Sequence, residues 1–97
     1  MRYDIVLTPS AQADLRYFKA YEQRIIVAAI KAHLMYEAEV ESNDRKVLRP
    51  NALAPWELKI GVYRAFYEVE QGQRVQVVAV GYKAHNDLFI RGKKVQI

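Results

Sequence analysis

The stretch WELKIGVYRAFYEV, residues 56–69, sets Lys59 and Arg64 on either side of a glycine. If Gly61 and Val62 form a two-residue loop of the II′ type, glycine occupies the position that needs positive φ. Ile60 then lies opposite Tyr63, and Lys59 opposite Arg64. Alternation sends Trp56, Leu58, Ile60, Tyr63, Ala65 and Tyr67 to one face, and Glu57, Lys59, Arg64, Phe66 and Glu68 to the other. Like charges directly across an antiparallel pair are destabilising. A sheet shaped only for stability has little reason to keep them, whereas a surface that holds an anion does. A one-residue slip of register would remove the coincidence. Phe66, on the charged face, is a candidate to stack a nucleobase, to meet a partner protein or to be covered by the chain's tail. Trp56 is expected to fill core.

Ninety-seven residues, 52% of them hydrophobic, suggest one domain spanning 1–97 with a single unstapled core. The absence of cysteine excludes disulfides and thiolate zinc sites and favours a cytoplasmic setting. Two histidines without His-x-x-x-His spacing argue against a metal site, and no glycine-rich loop is present to cradle a nucleotide. No apolar run approaches membrane-spanning length, and MRYDIVLTPS is too short and too charged for a signal peptide. The net charge of +4 is unevenly placed: residues 1–41 hold five Lys/Arg against six Asp/Glu, residues 42–97 ten against five. The basic half suits either an anionic partner or a merely soluble surface.

The elements that must position these residues are legible in outline. Tyr3–Leu7 reads as a first strand. Thr8 is a good N-cap, Pro9 suits the first helical position, and Asp14 is placed near the helix's positive end. Ala11, Leu15 and Phe18 give one helical face. A second helix is expected from about Tyr21 to Ala38, with Ile26, Ile30 and Leu34 at i, i+4, i+8, forming a helical hairpin or one bent helix with the first. His33 is expected at its edge, without a role. Pro50 and Pro55 forbid a helix in the loop or edge segment that carries Arg45, Lys46 and Arg49. After the hairpin come a turn around Gly72, the apolar strand RVQVVAVGY, the polar turn KAHND, a brief strand LFI and the basic tail RGKKVQI. The fold class is α+β: strand, helical hairpin, then a three- to five-stranded antiparallel meander packed on the helices, its other face open.

This order of elements resembles the RelE/ParE superfamily of bacterial type II toxins over nearly the whole chain. The resemblance is most specific at Leu48-Arg49, Trp56–Ile60, Tyr63–Tyr67 and Val80-Gly81-Tyr82-Lys83. It implies a toxin silenced by a cognate antitoxin, with an acidic or mixed antitoxin segment over the basic half. RelE-like members cleave mRNA on the ribosome and ParE-like members poison DNA gyrase, so fold alone leaves the target open. A toxin homologue that acts only with its antitoxin is a third reading.

For the RelE kind, the resemblance implies attack by the RNA's own 2′-hydroxyl on the adjacent phosphorus, with no metal or other cofactor. Arg64 matches the transition-state arginine, and Lys59 the second lysine of a lysine-x-lysine strand. Lys83 stands where an arginine follows the central strand, keeping the charge without the fork. Two positions depart: Glu57 replaces the first lysine, and Phe89 falls near a catalytic tyrosine without its hydroxyl, for which Tyr82 is a weaker stand-in. Other RNA-cleaving branches use a carboxylate base and a histidine acid. Glu57 and His85 are candidates for these roles, beside the plainer readings of a charge partner for Lys59 or Arg64 and a turn histidine. The candidate catalytic set is therefore Arg64, Lys59, Lys83, His85 and Glu57, and the RNA-binding set Arg45, Lys46, Arg49, Phe66 and Tyr82.

Overall fold

Thr8 ends the first strand and starts the first helix. Its hydroxyl accepts the Ala11 N–H at 3.1 Å, between β1 (Asp4–Leu7) and α1 (Pro9–Arg16). The computed structural model describes residues 1–71 and 73–97, so the expected turn around Gly72 lies outside the described residues. A three-residue link leads to α2 (Ala20–Leu34), which ends at a Met35 C-cap, earlier than the expected Ala38. Six further strands follow: β2 (Arg45–Val47), β3 (Trp56–Ile60), β4 (Tyr63–Glu70), β5 (Arg74–Ala84), β6 (Asp87–Ile90) and β7 (Lys93–Val95). They form the antiparallel meander β2-β3-β4-β5-β6-β7, and β1 joins it parallel to β5. The α+β architecture is as expected, with more strands: the Arg45 segment and the basic tail each supply one. Among the described residues, no helix is long and apolar enough to cross a membrane.

The helix-side core gathers Ile26, Ile30 and Leu34 of α2 against Leu58, Ala65 and Tyr67 of the β3–β4 hairpin. Fully burying each of the isoleucine and leucine side chains contributes about 1.5–3 kcal/mol. Trp56 packs against this core and stacks on Tyr67 with ring centroids 5.8 Å apart. The Tyr67 hydroxyl donates to the Ala38 carbonyl at 2.7 Å, and burial holds its pKa far above that of a free tyrosine. Glu22, in the first turn of α2, accepts the Lys19 N–H at 3.1 Å and the Tyr63 hydroxyl at 2.8 Å, tying the helix start to the hairpin. The bond to Glu22 pushes the Tyr63 pKa up to about 12.

The opposite face of the sheet is not wholly open, contrary to expectation. Ala54 from the β2–β3 loop, Phe66, Ala79 and Leu88 form a second buried cluster there. The pairing explains why β5 can feed two cores. Phe66 pairs with Ala79 but Tyr67 with Val77, which makes Val78 an extra residue, a β-bulge. Val77 and Val80 face the helices, while Val78 and Ala79 face the second cluster.

β5 also changes partner along one edge, from β1 (up to Val77) to β6 (from Tyr82). In the interval, Asp14 accepts the Val80 N–H at 3.0 Å through Oδ2, and its Oδ1 lies 2.8 Å from Arg91 Nε. Asp14 is 1% exposed and sits toward the C-terminal end of α1, so its task is to complete the sheet and not to meet the helix's positive end. Gly81 closes the same interval. A Cβ there would collide with the Phe89 carbonyl oxygen and lie 3.0 Å from Ile90 Cγ1. Gly81→Ala is expected to cost about 2 kcal/mol, as overpacking does. Chemical denaturation should show this as a lowered midpoint with unchanged slope.

Candidate functional site

Alternation decides which cations share a face. The hairpin register is the expected one: Ile60 pairs with Tyr63 and Lys59 with Arg64, and Gly61 has φ +59°. Arg45 pairs with Leu58 and Lys46 with Glu57, so these neighbours point to opposite sides of the sheet. Lys83 pairs with Leu88, a member of the second cluster, and therefore stands on the Glu57 side.

On that side a cavity of about 590 Å³ brings together Lys46, Arg49, Glu57 and Lys83, with Asn51 and Ile97 also on its wall. Among the described residues, Lys46, Arg49 and Lys83 form no ion pair, so three cationic heads are free to meet an anion. Glu57, its side chain 14% exposed, is the one side-chain carboxylate on the wall. Arg64 stands behind it: Nε lies 3.3 Å from Glu57 Oε2, and Nη1 donates to the Gly61 and Tyr63 carbonyls at 2.7 and 2.8 Å. Lys59 remains exposed beside the turn. The like-charged pair is thus relieved without being removed, because Arg64 turns diagonally to Glu57 and to its own hairpin.

Other expected members are placed elsewhere. Arg45 is buried at 7% exposure, with Nε donating to the Val40 carbonyl at 2.8 Å and Nη1 3.0 Å from His33 Nδ1. It braces β2 against α2 and is not offered to RNA, and His33, expected to have no role, is its partner. Phe66 is wholly buried, so its ring is not available to stack a base. Tyr82 lies on the helix side, stacked between Tyr17 at 6.3 Å and Phe89 at 5.3 Å, and its pKa is raised by its bond to the Tyr17 hydroxyl. A hydroxyl on Phe89 would accordingly lie on the far face from Glu57. His85 sits with Asn86 in the β5–β6 turn, both at positive φ, exposed and off the cavity wall. That geometry is the I′ type, which asparagine, aspartate and histidine tolerate better than other non-glycine residues.

Two members of the site escaped the sequence reading. Ile97 falls in the tail, and nothing local marks its return to the cavity. Asn51 carried a signal: an asparagine after proline in a loop commonly bonds backbone two residues on.

A family model described as the ParE toxin of type II toxin–antitoxin system, parDE, matches residues 5–86. Among solved structures, the fold is similar to the RelBE2 toxin–antitoxin complex from Mycobacterium tuberculosis, with a TM-score of 0.74 and 20% identity. That match covers 86% of this chain and 100% of the other. It is also similar to the archaeal RelE–RelB complex from Pyrococcus horikoshii, with a TM-score of 0.67 and 17% identity, covering 88% and 99%. No curated protein matches the sequence.

Proposed function

The chain belongs to the ParE toxin family of type II toxin–antitoxin systems, and we propose, from the chemistry of its cationic cavity, that this cavity is where it acts on a target and that the target is mRNA on the ribosome. The observation that carries this reading is the meeting of Lys46, Arg49 and Lys83 around the single acidic side chain, Glu57. Lys46 and Arg49 hold the non-bridging oxygens of a phosphodiester. Glu57 takes the proton of the 2′-hydroxyl as that oxygen bonds to phosphorus, and Lys83 protonates the 5′-oxygen as the P–O5′ bond breaks. Arg64 acts through Glu57: with one nitrogen held by two carbonyls, it keeps a fixed positive charge 3.3 Å from the carboxylate. A cognate antitoxin with an acidic segment would cover the same basic half.

A second reading, a non-enzymatic gyrase inhibitor, is favoured by the positions of His85 and Tyr82 off the cavity, which leave lysine as the available acid. Induction in cells separates the two. Codon-phased mRNA cuts are expected, reduced about a hundredfold by Lys83→Ala and only a few-fold by Lys59→Ala, whose charge is peripheral. Blocked supercoiling with intact mRNA would instead establish the second reading.

A further inference from the structure

The β2–β3 loop runs from Leu48 to Pro55 without regular structure, yet one side chain organises it. Asn51 Nδ2 donates to the Arg49 carbonyl at 2.7 Å and to the Ala54 carbonyl at 2.9 Å. Its Oδ1 accepts the Leu53 N–H at 2.7 Å and the Ala54 N–H at 3.0 Å. These four bonds exhaust the two donors and two acceptor sites of a carboxamide and fix which way it points. One end of this bracket is anchored, since Ala54 is buried in the second cluster. Leu48 N–H to the Pro55 carbonyl, at 2.8 Å, closes the loop's base. The other end is Arg49, on the cavity wall. Neither aspartate, which cannot donate, nor glutamine, one methylene longer, reproduces this set.

We propose that Asn51 is a positioning residue that holds Arg49 on the wall of the cationic cavity, so that its contribution to binding an RNA phosphate passes through Arg49. This rests on the reading of the cavity as an RNA site. A backbone already fixed lowers the ordering cost of bringing a long side chain to its ligand.

The test uses the full chain and a 2′-O-methyl oligouridylate, which supplies phosphates but no attacking hydroxyl. Binding is followed by fluorescence anisotropy across a salt series. Arg49→Ala is expected to weaken binding about tenfold and to flatten the plot of log K against log salt by about 0.7, one single-strand phosphate. Asn51→Ser keeps an acceptor for the loop N–H groups but cannot span to the Arg49 carbonyl. It should weaken binding several-fold and flatten the same slope, yet add nothing in the Arg49→Ala background. In the unaltered protein, the Leu53 and Ala54 amides should resist hydrogen exchange well beyond an open loop's level. Wild-type affinity in Asn51→Ser, an equal loss with Arg49 absent, or unprotected loop amides would each overturn the positioning role. Unchanged binding in Arg49→Ala would instead overturn the RNA site, and the role of Asn51 with it.

Discussion

Glu57→Gln should fold normally and leave mRNA uncut, with a loss of about a thousandfold in cleavage, within the range for a missing general base. Glutamine keeps the shape and can still face Arg64 Nε, now 3.3 Å from Glu57 Oε2, but it cannot take a proton at neutral pH. The same change removes the only acidic side chain from a wall that carries Lys46, Arg49 and Lys83, so affinity for an uncleavable RNA should rise. This opposite movement of binding and cleavage distinguishes a base from a residue that merely neutralises its neighbours. If Glu57→Gln cut RNA at the original rate, the carboxylate would be only a charge partner and the mechanism would need another base. Primer-extension mapping of mRNA ends, with anisotropy on 2′-O-methyl RNA, reads both quantities.

Asp14→Ala should lower stability by about 3 kcal/mol, mostly through one lost bond to a charged acceptor and one stranded N–H. Oδ2 accepts the Val80 N–H, and the carboxylate is 1% exposed, so water cannot replace it without opening the sheet. Arg91 contributes less to the total, because its side chain is 53% exposed and screened by solvent. For a domain of this size the loss corresponds to a melting midpoint lower by roughly 15 °C. Asp14→Asn, which keeps the acceptor and gives up the ion pair, should recover most of it. Calorimetric scans of the three proteins would decide, and an alanine variant melting within a degree or two of wild type would show that the gap in β5 is filled some other way.

The hairpin was the most legible part of the molecule, because a glycine flanked by alternating residues fixes register and register fixes faces. Lys59 opposite Arg64, with Trp56, Leu58 and Tyr67 inward, follows from period two alone. The same rule, applied to Arg45, would have separated it from Lys46 had that segment been read as a strand. It was obscured by its brevity, three residues between breakers. Phe66 was assigned the correct face, and of its three candidate fates burial holds, under Ala54 and Leu88 with Val95 of the tail packed against the cluster, elements distant in sequence. Asp14 could have been suspected: it falls three residues after Ala11 and four before Phe18, on the stripe that packs inward, where an acid demands a partner. His85 and Tyr82 were grouped with the cations by family resemblance, and a turn and one step of alternation part them.

The parallel pairing of β1 with β5 sets Asp4 beside Arg74 and Leu7 beside Val77. The earliest strand to leave the ribosome must therefore wait for one of the last, and such distant closure slows assembly. A nascent chain stalled before β5 can build neither the central pairing nor the Lys83 corner of the cavity. Sheet and cationic cavity are therefore completed together, late in the synthesis of the chain.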